Sequence, residues 1–220
     1  MKFTLLGTGT SQGIPVIGCS CKTCTSTNPK DNRFRCSVLL ESKTGTVLID
    51  IGPDVRQQLL ASKVKKLDAI VLTHEHMDHL AGLDEIRPFN YQQKKAIKVY
   101  ATLRVQERLK EQYSYIFNSP NYPGVPSIEL ITINSEEIFT AADIKFTPIE
   151  VMHGNLPVLG FRINDFTYIT DANFISASEK KKMEGSKIIV LNALRREKHH
   201  SHFSLAEAIN IFEELNPSEN

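Results

Sequence analysis

The chain has 220 residues and a formal net charge of +1, with 41% hydrophobic and 23% charged residues. This length allows one sizeable core, and the balanced charge indicates neither a nucleic-acid nor a membrane partner. No apolar run reaches the roughly 18 residues that a membrane span needs, and the N-terminus lacks a signal-peptide pattern. We therefore expect a cytoplasmic protein with a single domain over residues 1–220.

The first half of the chain alternates between strand and helix patterns. A long loop that is rich in glycine separates the first two strands, and the turn at Ser42 to Gly45 predicts a hairpin between the next two. We predict strands over Lys2–Gly7, Cys36–Glu41, Thr46–Ile51, Asp68–Leu72 and Ile97–Ala101, and helices over about 53–62, Gly82–Phe89 and Leu103–Phe117.

The second half continues in the same style and ends in a helix. Ser204 and Glu207 have the spacing of a capping box, which places the start of a helix that should end near Pro217. Many strands with interspersed helices predict a layered α/β fold, and the pattern leaves open whether the strands form one sheet or two. Further strands are predicted near Ile128–Ile133, Ile144–Val151, Val158–Ile163, Phe166–Thr170 and Lys187–Leu191, and a short helix over Ser178–Met183.

The segment Thr73-His74-Glu75-His76-Met77-Asp78-His79 follows a buried-strand pattern and concentrates four ligating side chains in six positions. One open catalytic site usually takes about three protein ligands, so four from a single loop favour two adjacent ions. Such ions lower the pKa of bound water from about 15.7 toward 7 and stabilise displacement at phosphorus. The segment predicts a metal-dependent hydrolase, and the alternative is a histidine cluster without metal.

Cys19, Cys21 and Cys24 form a C-x-C-x-x-C cluster, and Cys36 stands apart. In a reducing compartment such a cluster indicates a metal site rather than a set of disulfides. Three thiolates leave a structural zinc ion one ligand short of its usual four. The alternative is a set of free thiols in a flexible loop.

The histidine segment resembles the T-H-x-H-x-D-H signature of the metallo-β-lactamase superfamily. Within it, Ser11–Pro15, the cysteine cluster and Ser201-His202 resemble the branch that contains the phosphoribosyl 1,2-cyclic phosphate phosphodiesterase. Other segments resemble further motifs of the superfamily, namely Leu5–Thr10, Leu48–Gly52, Val151–His153 and Ile169–Ala172.

This resemblance implies an αββα sandwich, in which two sheets pack face to face between helices. It also implies hydrolysis of a small, cyclic phosphodiester by a metal-bound hydroxide, with zinc or manganese as the metal. The implied ligands are His74, His76 and His153 for the first of two divalent ions, Asp78 and His79 for the second, and Asp171 as a bridge between them.

Three further roles complete the expected site. The resemblance implies that His202 is a catalytic histidine, and we count Asp78 as catalytic too. Asp50 ends a predicted strand, and we interpret it as a carboxylate that orients a ligand imidazole. The resemblance also implies a structural zinc ion at Cys19, Cys21 and Cys24.

The sequence departs from the resembling branch at its C-terminal end, since no histidine follows His202. The branch has a late Thr-His motif for the second ion and a final histidine for the cysteine site. We expect that the final strand of the fold is missing as well. We favour truncation over ligands from a partner chain or a naturally weak second site, and we expect the second ion to bind poorly.

Two other functions stay open. One is a ribonuclease of the tRNA 3′-processing type. The nearly neutral net charge argues against it, because it supplies little attraction for the phosphates of RNA. The other is a non-catalytic metal-binding protein with a degraded site. For the favoured phosphodiesterase we expect a small-molecule substrate and no membrane or nucleic-acid partner, and the sequence leaves a homodimer open.

Overall fold

The computed structural model describes residues 1–118 and 124–215, and its fold is mixed α/β with two sheets. Its contacts group into two compact units. The first unit is Met1–Thr132 with Ala141–Asp143, and the second is Ile133–Thr140 with Ile144–Asn220. The single domain over residues 1–220 stays a prediction, whereas the question of one sheet or two is answered in favour of two.

The first unit contains a sheet with six described strands in sequential order from β1 to β6. Strands β1 to β3 pair antiparallel and β3 to β6 pair parallel. The strands are β1 (Lys2–Gly7), β2 (Ser37–Glu41), β3 (Thr46–Ile49), β4 (Ala69–Val71), β5 (Ile97–Ala101) and β6 (Ile128–Thr132). The helices are α1 (Val55–Ala61), α2 (Met77–Leu80), α3 (Arg87–Gln93), α4 (Leu103–Gln112) and α5 (Ser114–Phe117), with 3₁₀ turns at Pro29–Asp31 and Leu83–Ile86.

The central strands of this sheet explain why the histidine segment is held rigidly. Every residue of β3 and β4 is buried, as expected for strands covered on both faces. Helix α4 packs Val105 and Leu109 into the same core, and these two residues share one helix face. The histidine segment, which follows β4, therefore begins at a strand that is buried on both faces.

The second sheet has six described strands in the order β11-β8-β9-β10-β12, with β7 beside β8, and all of them except Ala141 of β7 belong to the second unit. Strands β10 and β12 are parallel, and β9 pairs antiparallel with both β8 and β10. The strands are β7 (Phe139–Ala141), β8 (Ile144–His153), β9 (Leu156–Ile163), β10 (Phe166–Ile169), β11 (Phe174–Ile175) and β12 (Ile188–Leu191), and the helices are α6 (Ala177–Met183) and α7 (Leu205–Leu215).

Most predicted elements are present, with two kinds of difference. The predicted helix Gly82–Phe89 is a 3₁₀ turn that passes into α3 near Pro88, and the predicted helix Leu103–Phe117 is interrupted at Tyr113. The short strands β7 and β11 were not predicted, because two or three residues carry no periodic signal.

The capping box of α7 is confirmed. The Ser204 backbone N–H donates to Oε2 of Glu207 at 2.9 Å, and the Glu207 N–H donates to the Ser204 hydroxyl at 3.4 Å. The predicted end of this helix near Pro217 lies outside the described residues. Among the helices that the structure describes, none has the length and apolarity needed to cross a bilayer.

Candidate metal centre

In the first unit, the histidine segment is fastened to the chain that leaves β3. The Ile51 N–H donates to the His79 carbonyl at 2.7 Å, and the Gly82 N–H donates to the Ile51 carbonyl at 2.8 Å. A Cβ atom on Gly52 would lie 2.0 Å from the carbonyl oxygen of Asp78, so only glycine fits there. The close approach fixes helix α2, which carries the predicted ligands Asp78 and His79, against the end of β3.

The buried carboxylate of Asp50 organises this segment. Asp50 is fully buried and accepts from the Thr73 N–H at 2.9 Å and from the Thr73 hydroxyl at 2.8 Å. Because that hydroxyl donates its O–H to Asp50, it serves as the acceptor for Nδ1 of His74, which lies 2.9 Å away. The proton of His74 is thereby held on Nδ1, and Nε2 carries the lone pair.

The same carboxylate also orients His79. Nδ1 of His79 lies 2.7 Å from Oδ2 of Asp50, and a carboxylate can only accept, so Nδ1 carries the proton. Nε2 of His79 lies 3.2 Å from Oδ2 of Asp78, and in the neutral ring with its proton on Nδ1 that nitrogen presents a lone pair to the carboxylate. Two electron-rich atoms at this distance are an arrangement that a shared cation stabilises. The contact on which our interpretation of Asp50 depends is present, and its role toward a metal stays a prediction.

His74 and His76 converge in a way that fits one ion. Nε2 of His74 lies 3.0 Å from Nδ1 of His76. Two nitrogens bound to one zinc ion at about 2.0–2.1 Å lie roughly 3.0–3.4 Å apart. The hydrogen bond from His74 to Thr73 fixes the ring that presents Nε2, as is usual for metal-ligating imidazoles. The imidazole and carboxylate groups of this unit therefore suit a divalent first-row metal ion.

The second unit gathers its own cluster of predicted site residues. His153 ends β8, Asp171 follows β10, and His202 lies in the loop before α7. The rings of His153 and His202 have their centroids 4.6 Å apart, and Nδ1 of His202 lies 3.7 Å from Oδ1 of Asp171. That last distance is too long for a hydrogen bond but close enough for an electrostatic interaction when the imidazole is protonated.

Amide side chains hold this second cluster together. Asn192 pairs with both backbone groups of Ala172, accepting from its N–H at 2.9 Å and donating to its carbonyl at 3.0 Å. Asn173 accepts from the N–H of Gly154 at 2.7 Å, which ties the turn after His153 to the segment after β10. Gly154 has a φ of +64°, which glycine adopts without strain.

The two predicted carboxylates Asp50 and Asp171 share an unusual backbone conformation. Their φ angles are +60° and +50°, in the left-handed region that non-glycine residues rarely adopt. Aspartate tolerates this region better than most residues, and such conformations cluster where a site fixes a side chain. Asp50 and Asp171 therefore each occupy a left-handed turn directly after or near the end of a strand.

The three predicted cysteine ligands also lie together. The Sγ atoms of Cys19, Cys21 and Cys24 are within 4.8 Å of one another. The Cys24 N–H, followed by the thiols of Cys19 and Cys24, lowers the pKa of the Cys21 thiol to about 7, which favours the thiolate that metals bind. At Cys24 the Val16 N–H favours the thiolate, but burial and the neighbouring thiols raise the pKa overall. This trio could hold a metal ion.

The sequence did not single out several residues that position these clusters. Thr73 was visible only as the first letter of the histidine motif, and its role required the buried contact with Asp50. Asn173 and Asn192 carry no charge and follow no spacing rule, so no signal could have found them. Ser201, whose carbonyl accepts from Nδ1 of His153 at 2.8 Å, had appeared only as part of a family resemblance.

Comparisons with known proteins agree with the fold. Residues 45–219 match the sequence model of a family described as the beta-lactamase superfamily domain. A crystal structure described as a new diphosphatase from the PhnP family superposes with a TM-score of 0.90 and 36% identity, covering 98% of this chain and 82% of that one.

Two curated relatives are longer proteins. An octanoyltransferase of Porphyromonas gingivalis is 37% identical over 217 residues, which are 98% of this chain and 44% of that protein. A ribonuclease Z of Macrococcus caseolyticus is 28% identical over 169 residues, which are 74% of this chain and 49% of that protein. The chain thus spans about half the length of the curated relatives that it matches.

Proposed function

Because this chain belongs to the beta-lactamase superfamily, we propose that it is a metal-dependent hydrolase that cleaves a small phosphodiester. The observation that carries the proposal is the convergence of Nε2 of His74 and Nδ1 of His76 at 3.0 Å, with the proton of His74 held away from the shared point by Thr73. This arrangement would allow both nitrogens to bind one cation that lies between them.

The proposed centre takes two divalent ions, zinc or manganese. When bound, such ions would lower the pKa of water and neutralise charge that builds up on a phosphoryl group. The geometry of the histidine segment supports ligation by His74, His76, Asp78 and His79, and the family signature supports the remaining two ligands. His74, His76 and His153 would hold one ion, Asp78 and His79 the other, and Asp171 would contact both.

The chain's own residues have distinct tasks in this proposal. Asp50 fixes the His79 ring, and Thr73 fixes the His74 ring, so that the ligands need little rearrangement. His202 would hold a proton on its imidazolium and give it to the oxygen that leaves phosphorus as the P–O bond breaks. Nδ1 of His202 lies 3.7 Å from Oδ1 of Asp171, so the imidazole is next to one of the proposed ligands.

The substrate class is the finer part of the proposal. The PhnP-family protein that superposes at a TM-score of 0.90 is described as a diphosphatase, which supports a phosphorus-containing substrate. The resemblance of Ser201-His202 and the cysteine cluster to the cyclic phosphodiesterase branch supports a small substrate. A compound with one phosphodiester or diphosphate linkage is therefore the first choice for screening.

The test is hydrolysis of bis(p-nitrophenyl) phosphate by the protein loaded with Mn²⁺ or Zn²⁺. The wild-type protein should release p-nitrophenol, and His76→Ala should lose the activity because one of two converging nitrogens is gone. His200→Ala is the matched control, since His200 is an exposed histidine outside the proposed ligand set. Activity that persists in His76→Ala, or metal binding without any hydrolysis, would count against the phosphodiesterase.

One observation favours a second candidate, a ribonuclease of the tRNA 3′-processing type. The relative from Macrococcus caseolyticus is described as ribonuclease Z and matches 74% of this chain. A pre-tRNA substrate assayed beside small cyclic phosphodiesters separates the two activities. Metal binding without cleavage of either substrate would point instead to a non-catalytic metal-binding protein.

A further inference from the structure

The second unit contains a histidine that the proposed reaction does not use. His199 belongs to the run His199-His200-Ser201-His202, and its Nδ1 lies 3.3 Å from both the backbone nitrogen and the hydroxyl of Ser201. A backbone N–H can only donate, so Nδ1 of His199 is an acceptor and its ring proton is on Nε2. Nδ1 of His199 therefore accepts hydrogen bonds from both the backbone N–H and the hydroxyl of Ser201.

Ser201 in turn contacts a proposed metal ligand. Its carbonyl oxygen lies 2.8 Å from Nδ1 of His153, and a carbonyl can only accept, so the proton of His153 is held on Nδ1. This contact fixes both the tautomer and the ring orientation that present Nε2 of His153 as a ligand atom. Ser201 is buried, so water would not easily replace it as the acceptor.

We propose that His199 is a positioning residue that acts through Ser201 to fix His153 in its ligating orientation. The idea rests on the proposed function, because His153 is a ligand only if the centre binds metal. It assigns a task to the first histidine of a run that the sequence motif alone left unexplained. His200, its exposed neighbour, is given no such task.

The surroundings of His199 support the acceptor role. Burial, followed by the positive charges that His200, Arg195 and His153 can carry, lowers the pKa of His199. A neutral ring is required for Nδ1 to accept a hydrogen bond. On the other side of Ser201, the Phe203 N–H donates to the Ala172 carbonyl at 2.7 Å. Ser201 therefore lies between two contacts that hold the loop, its own hydrogen bonds to His199 and the hydrogen bond from Phe203 to Ala172.

The experiment replaces His199 by three side chains that differ in where they place an acceptor. Asparagine puts an oxygen near the position of Nδ1, glutamine puts its amide near the position of Nε2, and alanine has no acceptor. The affinity for Zn²⁺ is measured by competition with a chelator for each variant and for His200→Ala. We expect His199→Ala and His199→Gln to bind about 10-fold more weakly, while His199→Asn and His200→Ala stay close to the wild type.

A second readout does not need metal. The Nδ1–H proton of His153 is observed by NMR in the protein labelled with ¹⁵N, where its hydrogen bond to Ser201 shifts it downfield and slows its exchange. The signal should broaden or vanish in His199→Ala and return in His199→Asn. Urea denaturation of each variant separates local loss of order from global unfolding.

The possible outcomes distinguish this inference from the proposed function. Unchanged zinc affinity together with an unchanged His153 signal in His199→Ala would overturn the positioning role. Equal losses in the asparagine and alanine variants would also overturn it, because the acceptor at the Nδ1 position would then not matter. If the wild type binds no metal but the His153 signal still depends on His199, the proposed function fails and the positioning contact remains.

Discussion

The hydroxyl of Thr73 lies 2.9 Å from Nδ1 of His74 and donates a hydrogen bond to the buried carboxylate of Asp50, 2.8 Å away. A threonine thus connects a charge that water does not reach to an imidazole that points toward the proposed ion. The connection is directional, because a hydroxyl that donates to a carboxylate has only its lone pairs to offer the next group. His74 is therefore held as one tautomer before any metal binds.

Removing the Thr73 hydroxyl should weaken metal binding more than it weakens the fold. In Thr73→Val the side chain keeps its shape, but Nδ1 of His74 and the carboxylate of Asp50 each lose a partner. We expect about 10-fold weaker binding of one ion and a free energy of unfolding lower by about 1–3 kcal/mol. Zinc competition and urea denaturation measure the two effects.

The matched control for that change is Thr167→Val. Thr167 is also fully buried, and its hydroxyl lies 2.8 Å from that of Ser186 in the second unit. Its loss should lower the free energy of unfolding by a similar amount and leave the zinc affinity unchanged. Equal zinc affinities in the two threonine variants would show that Thr73 only supports the fold.

Replacing Asp50 by asparagine should disturb His79 as well. The carboxylate accepts from the Thr73 N–H, from the Thr73 hydroxyl and from Nδ1 of His79. An amide has one acceptor oxygen and would turn an N–H₂ group toward at least one of these donors. We expect the bound metal to be held more weakly, because the tautomers of both His79 and, through Thr73, His74 are no longer fixed. Metal content after dialysis measures this.

Asp143→Asn provides the comparison for Asp50→Asn. The Asp143 carboxylate also accepts from two hydroxyls, those of Ser42 at 2.6 Å and Thr44 at 2.6 Å, at the hairpin between β2 and β3. Its replacement should lower stability modestly and keep the metal content of the wild type. A metal content that falls equally in both variants would remove the special role of Asp50.

Much of the fold followed from the sequence because its signals are local. The buried runs that became β3, β4 and β5 and the capping box at Ser204 depend on neighbouring residues, and they appear where they were predicted. The fold of the superfamily was also correct, since packing alone rarely brings four ligating side chains into six consecutive positions after a buried strand. The short strands β7 and β11 were not predicted, because they have no buried run and only their pairing defines them.

The supporting contacts of the site could not be predicted in the same way. The Thr73 hydroxyl meets Asp50 across 23 positions of sequence, and Ser201 meets His153 across 48. Such contacts depend on how strands of one sheet are ordered, which the residues do not reveal locally. The contact of Asp50 with an imidazole could be anticipated because a carboxylate commonly orients a ligating histidine, and its role toward a metal stays a prediction.

The cysteine trio gives a prediction that is independent of the hydrolase. Cys21 has the thiol whose pKa is lowered to about 7, so Cys21→Ser should reduce bound zinc by about one ion per chain if the trio holds a structural ion. Cys36→Ser is the control, because Cys36 is outside the trio and its thiol contacts the Gly9 carbonyl. Zinc measured by mass spectrometry should fall only in the first variant. An equal zinc content in both would assign the trio as free thiols.

Asp68 should make stability depend on pH. Burial tends to raise the pKa of this carboxyl, but Lys95, Lys66 and the Thr46 N–H outweigh it and lower the pKa overall. Because the folded-state pKa lies below the unfolded one, the stabilisation is present above the unfolded pKa of about 3.9 and is lost as pH falls through the folded pKa. Asp68→Asn should therefore cost about 0.5–1 kcal/mol near neutral pH, with the difference from wild type shrinking in acid. Urea denaturation from neutral pH down to acid pH measures this difference.

Asp165→Asn is the control, because its exposed ion pair with Lys187 also lowers the pKa of Asp165. There the same trend should be smaller and should disappear in high salt. A constant difference between Asp68→Asn and wild type at every pH would contradict the electrostatic origin.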